Sequence, residues 1–267
     1  MQEFKTQRSE IGNQNGDRFI PAFRILNFCI MIFALSVVFL NPYYKLLEMK
    51  TTIIDFLKDL EQNNNREWFQ ANKKRYDEGK KEFEDFINSL IPAIAKFDDS
   101  IKFLMAKDCI WRIYRDVRFA KDKSPYKTNF GAFMAKGGKK NHGPGYYFHL
   151  QPGECFLSGG VWMPEPEVTK KIRKEIYYNY DEFNGILNHK DFKKYFDGID
   201  DWDRQKLPPR EFPKDFPGMN LLLNRSFTIS HAMEEKTIYS EGLLDYTVKV
   251  YKAMVPYNNF LSRAMEG

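Results

Sequence analysis

Two hydrophobic periods divide this chain. Ile53, Ile54, Phe56, Leu57 and Leu60 recur at helical spacing, which predicts a helix over 53–62 with Thr52 as its N-cap. Asn63, Asn64 and Asn65 stop it, because Asn favours turns and tolerates the left-handed region. A second helical region begins at Arg66 and carries Trp68, Phe69, Tyr76, Phe83, Phe86, Ile87, Leu90 and Ile94. Gly79 and Pro92 are expected to break or bend it. From about residue 101 the period shortens. Trp111, Ile113, Val117 and Phe119 alternate with Arg112, Tyr114, Asp116 and Arg118, which predicts a strand with one apolar face, interrupted by Arg115.

Residues 130–135, 145–151 and 155–160 read as further short strands. Gln151-Pro152-Gly153-Glu154 supplies a hairpin turn, so this part reads as an antiparallel meander. Helical patterns return over 164–180, 181–188 and 191–196. Pro208, Pro209, Pro213 and Pro217 mark 203–219 as loop, and 225–230 is one more candidate strand. Ser240 is the expected cap of a C-terminal helix bearing Leu243, Leu244, Val250, Tyr251 and Met254, which Pro256 should kink or end. The order predicts one α+β domain over 49–267: an antiparallel sheet from the middle of the chain, packed by N- and C-terminal helices.

Residues 1–48 stand apart. They are polar up to Arg24, then run ILNFCIMIFALSVVFL over 25–40. No charge occurs from Ile25 to Tyr44, the lower edge of what a spanning helix needs. Three readings stay open: an upstream extension from a mis-assigned start before Met49, a single-pass anchor, or a cleaved signal. A membrane is a partner only if 25–40 is a real anchor; otherwise the expected location is cytoplasmic.

Composition removes several classes. With 43% hydrophobic and 29% charged residues the chain is neither disordered nor collagen-like. Three cysteines exclude a disulfide-stapled scaffold. The net charge of +5 is mild but unevenly placed. Arg112 to Lys140 holds nine Lys or Arg against Asp116 and Asp122, a net of +7, while the rest of 49–267 sums to −3.

The candidate chemistry lies in that segment. Arg offers a planar fork for carboxylate or phosphate, and Lys a compact point charge. Arg112, Arg115, Arg118, Lys121, Lys123 and Lys127, with Tyr126 and Thr128, form the expected anion-binding set. Asp116 and His149 are the candidate acid–base groups, and Tyr146 a candidate lining residue. The opposing reading is an ion-pair network in which Asp116 and Asp122 neutralise their neighbours. No Walker spacing, HExxH, CxxC or GxSxG occurs, so no metal or cofactor is expected. Cys109 and Cys155 read as small buried hydrophobes, and Asp98-Asp99 and Asp200-Asp201 as solvated or capping residues, with a divalent metal at these pairs left open as an alternative.

RDVRFAKDKSPYKTN, Arg115 to Asn129, resembles the signature of domain-of-unknown-function family 2461, a bacterial and fungal group. NNREWFQANKKRYD (Asn64–Asp77), GYYFHLQPGE (Gly145–Glu154), GGVWMPEPE (Gly159–Glu167) and IRKEI (Ile172–Ile176) match it as well. The resemblance runs from about Thr52 to the C-terminal helix and omits 1–48. It carries over no catalytic residue. The leading expectation is an anion-binding domain, taking phosphate or a nucleotide, or an enzyme acting on a phosphorylated small molecule. The alternative is a non-catalytic module binding nucleic acid or an acidic protein partner, for which Trp68, Phe69, Trp111, Tyr114 and Tyr126 would supply stacking rings.

Overall fold

In the computed structural model, the described residues are 49–266. Helix α1 (Thr51–Gln62) buries Ile53, Ile54, Phe56, Leu57 and Leu60. Its N-cap is Lys50, with no side-chain cap, so Thr52 lies inside the first turn instead of capping it. Asn65 caps the short α2 (Arg66–Ala71), its Oδ1 accepting from the Trp68 amide at 2.8 Å. Helix α3 (Lys73–Ile94) runs through both expected breaks. Gly79 survives there because a Cβ would stand only 3.3 Å from the Ile53 side chain, so the glycine lets α1 and α3 approach. Pro92 falls two residues before the helix ends, where losing one N–H bond costs little continuity.

After α4 (Ala106–Cys109) come β1 (Phe130–Met134), β2 (Gly145–Leu150) and β3 (Cys155–Val161). They are antiparallel neighbours, and Gly153 closes the β2–β3 turn at φ +72°. Helices α5 (Pro166–Tyr178), α6 (Tyr180–Asn188), α7 (Lys190–Lys193) and α8 (Met219–Leu222) precede β4 (Phe227–Met233). Strand β4 completes the order β1-β2-β3-β4, starting two residues later than the sequence pattern suggested. Then follow α9 (Glu235–Ile238) and α10 (Leu243–Glu266). The Ser240 hydroxyl donates to the Thr237 carbonyl and so does not cap α10. Pro256 sits inside α10 without ending it.

The register sorts the side chains. Phe130↔Leu150, Ala132↔Phe148 and Met134↔Tyr146 face the same way, as do Leu157 opposite Phe148 and Phe227 opposite Val161. This face is the core. Phe83 and Phe86 of α3 meet Phe148 edge-on, with ring centroids 5.9 and 5.2 Å apart. Tyr251 of α10 meets Tyr146 at 5.2 Å. The architecture is therefore α+β, as expected. Gly160 shows how close α10 lies. At φ +92°, a Cβ would fall 2.0 Å from the Phe227 carbonyl oxygen and 3.1 Å from the Tyr257 ring.

The other face carries Phe133, Tyr147, His149, Phe156, Ser158 and Ser230, mostly half-buried. Among the described residues no helix is long and apolar enough to cross a membrane, and the 25–40 segment lies outside them.

Candidate functional site

The expected strand over 111–119 is not regular. Ile110 bridges Ala132 and Tyr114 bridges Tyr126, so four residue steps on one side oppose six on the other. A ladder cannot hold register across that mismatch. Isolated bonds remain: Trp111 N–H to the Gly131 carbonyl at 3.2 Å, Lys127 N–H to Ile113 at 2.7 Å and Arg115 N–H to Pro125 at 3.0 Å. The segment is an irregular ribbon along the outer edge of β1. Its inward residues are Ile110 and Ile113, three apart, and Phe119 is 95% exposed instead of lying on an apolar face.

Two anchors fix the ribbon. The Tyr126 ring stacks on Phe69 of α2 at 4.0 Å and 13°. The Asn64 amide clamps the Tyr126 backbone, donating to its carbonyl at 2.9 Å and accepting from its N–H at 3.1 Å. The sequence pattern marked Asn64 only as a helix stop and missed this clamp.

Arg115 and Tyr126 stand between two hollows. One, of 380 Å³, is lined by Arg66, Gln70, Tyr114, Val117 and Pro125 as well. The other, of 390 Å³, adds Lys127, Thr128, Asn129, Ser124 and Asn64, with Asp122 and Glu61 on its wall. Several of the cations are already spoken for. Arg115 pairs with Asp122, whose carboxyl also accepts from the Ser124 N–H and hydroxyl. The Ser124 hydroxyl first, then Arg115, hold that carboxyl well below the usual carboxylate range. Arg118 grips Asp116 through Nε at 2.9 Å and Nη2 at 2.6 Å, which lowers the Asp116 pKa. The Lys123 ammonium donates to the Val117 carbonyl at 3.0 Å.

Arg112 and Lys127 differ. Neither enters an ion pair among the described residues. Lys127 is half-buried, and burial, then the nearby Arg112 charge, lowers its pKa. Lys121 is exposed on the loop.

The remaining candidates are not all brought to the ribbon. Tyr146 is 1% exposed, on the core face, and donates to Asp98 Oδ2 at 3.0 Å; it does not line the site. Burial first, then the Asp98 charge, raise its pKa. Tyr126 is 3% exposed and its ring packs into the core, while the residue borders both hollows. His149 lies on the open face, one strand pair from the ribbon through Gly131. Its Nδ1 shares a 2.8 Å hydrogen bond with the Tyr147 hydroxyl and its Nε2 a 3.1 Å bond with Gln151. Burial lowers its pKa and pushes the Tyr147 phenol up to about 12. Cys109 and Cys155 are buried, and burial pushes the Cys109 thiol up to about 12.

Asp200 departs from its expected solvated state. It is half-buried, accepts from the Ser230 hydroxyl at 2.8 Å, and burial raises its carboxyl pKa. Nothing in the local sequence marks it, because β4 brings Ser230 to it from 30 residues away. Among the described residues no three His, Cys, Asp or Glu side chains gather to hold a metal ion.

The model of DUF2461, described as a conserved hypothetical protein, matches residues 52–260. The chain belongs to this family. The match leaves 1–51 and 261–267 outside and takes in the ribbon, both hollows and all four strands. No curated protein and no solved structure matches the DUF2461 chain.

Proposed function

We propose that the DUF2461 ribbon binds a phosphate-bearing anion in the hollow beside Lys127. One observation carries the reading: Lys127 is half-buried on the wall of the hollow, its N–H bonded to the Ile113 carbonyl next to Arg112, and neither cation enters an ion pair among the described residues. A bound anion would offset the repulsion between these two cations and favour the charged ammonium. The Thr128 and Asn129 side chains beside Lys127 offer a hydroxyl and an amide donor of the type phosphate oxygens accept, while the Ser124 hydroxyl and the Asn64 amide are engaged by Asp122 and Tyr126. The reading is one of binding, and Asp116 takes no part in it, because Arg118 already grips its carboxylate.

The test is a calorimetric titration with inorganic pyrophosphate at low salt. Lys127→Ala and Arg112→Ala are each expected to weaken binding about tenfold, ~1.4 kcal/mol. Arg118→Ala should change it little, since that guanidinium is engaged by Asp116. Equal loss in all three variants, or no binding by the unaltered protein, would remove the proposal.

A further inference from the structure

The open face of the sheet carries a continuous set of rings next to these cations. Trp111 of the ribbon stacks on Phe133 of β1, with centroids 6.3 Å apart and planes at 20°, and meets Tyr147 of β2 edge-on at 5.7 Å. Tyr147 lies 5.7 Å from His149 and from Phe156 of β3. His149 and Phe156 stack at 4.5 Å and 15°. Five rings thus reach across three strands. They are half-buried, except Trp111, which is 37% exposed. Gly131 gives the array its space: a Cβ there would stand 2.7 Å from the Tyr147 hydroxyl.

The array has charge on two sides. Arg112 follows Trp111 directly, with Lys127 close to it, along the β1 edge. Lys136, Lys139 and Lys140 occupy the connection between β1 and β2, the Lys139 ammonium donating to the Lys107 and Ile110 carbonyls at 2.7 and 2.6 Å. No acidic residue occurs from Lys123 to Gly153, the stretch that holds β1, β2, Lys127 and the three lysines of their connection, while Asp116 and Asp122 lie between Arg112 and this stretch.

We propose that this face binds single-stranded nucleic acid, its bases stacked on the rings and its phosphates against Arg112 and Lys127. The proposal rests on the anion reading and adds the ligand class. A sheet with rings across three strands of its open face and cations at its margin suits splayed bases, which every π-face can stack, better than an enclosed small ligand. A duplex keeps its bases stacked inside and offers phosphates alone.

Fluorescence anisotropy at low salt separates the parts, using a labelled single-stranded oligonucleotide of about 12 nucleotides. Unlabelled inorganic polyphosphate of similar length, a mononucleotide and a duplex serve as competitors. Trp111→Ala and Phe156→Ala are expected to weaken the oligonucleotide about tenfold each. They should leave polyphosphate binding unchanged, which also shows that the variants are folded. Trp111→Phe should restore most of the loss. Polyphosphate or duplex competing as well as the oligonucleotide, with the ring variants silent, would overturn stacking and leave the anion site standing. A mononucleotide matching the oligonucleotide would overturn the single-strand reading. Absence of binding by oligonucleotide and polyphosphate alike would overturn both proposals.

Discussion

Asp200 shows how one carboxyl reports its surroundings. The Ser230 hydroxyl donates to it, yet burial dominates and raises its pKa above the usual 3.8. The folded state then holds the proton more tightly than the unfolded chain. Its contribution to stability is complete below about pH 3.8 and is lost as pH rises through the raised pKa. Asp200→Asn removes the charge and keeps the acceptor. The variant is therefore expected to gain stability relative to the unaltered protein as pH goes from about 4 to 7. Urea melts at several pH values read this directly, and a difference that stays flat with pH would mean that the carboxyl titrates normally. His149 has the opposite sign. Burial lowers its pKa, so its contribution is present above 6.5 and falls as pH drops below that value.

The ribbon is the element on which the site depends, and it has little secondary structure of its own. Ile113, 2% exposed, pins its middle to the core, while Tyr126 on Phe69 pins its return. Ile113→Ala is expected to cost about 2–4 kcal/mol in urea unfolding. It should also speed tryptic cleavage at the basic residues between Arg115 and Lys123, because the loop loses its anchor before the sheet does. Destabilisation with unchanged cleavage would mean that the ribbon is held from elsewhere. The sheet differs in kind. β1 to β3 are joined by full ladders, and β4 adds a ladder of seven residue pairs to β3.

At the scale of the molecule, one core runs from Met49 to Ala264. Met49 itself is 2% exposed, buried within it. A chain beginning at Met49 is therefore expected to unfold in one cooperative step by circular dichroism and by tryptophan fluorescence, with coincident midpoints. Two separated transitions would mean that these residues are not one cooperative unit. The charge asymmetry belongs to this scale too. The +7 over Arg112–Lys140 lies in the ribbon, β1 and the turn after it, at one side of the sheet.

How much of this was legible beforehand follows from the range of the forces involved. The helical faces of α1, α3 and α10, the three middle strands and the Gly153 turn depend on local period and local turn chemistry, and the sequence by itself determined them. The concentration of cations in one segment was equally local. The state of each cation was not. That Asp116 and Asp122 could neutralise neighbours was readable, but which cations they take, Arg118 and Arg115, and that Arg112 and Lys127 enter no ion pair among the described residues, the fold decides. Alternation misread 111–119, because two extra residues on the return side break the register, and no periodicity in one strand records the length of its partner. Tyr146 and Tyr147 are adjacent in sequence, yet the pleat sends one into the core and the other into the ring array. Which face the helices cover, and which remains open beside the charge, only the tertiary structure decided, since packing joins residues far apart in the chain.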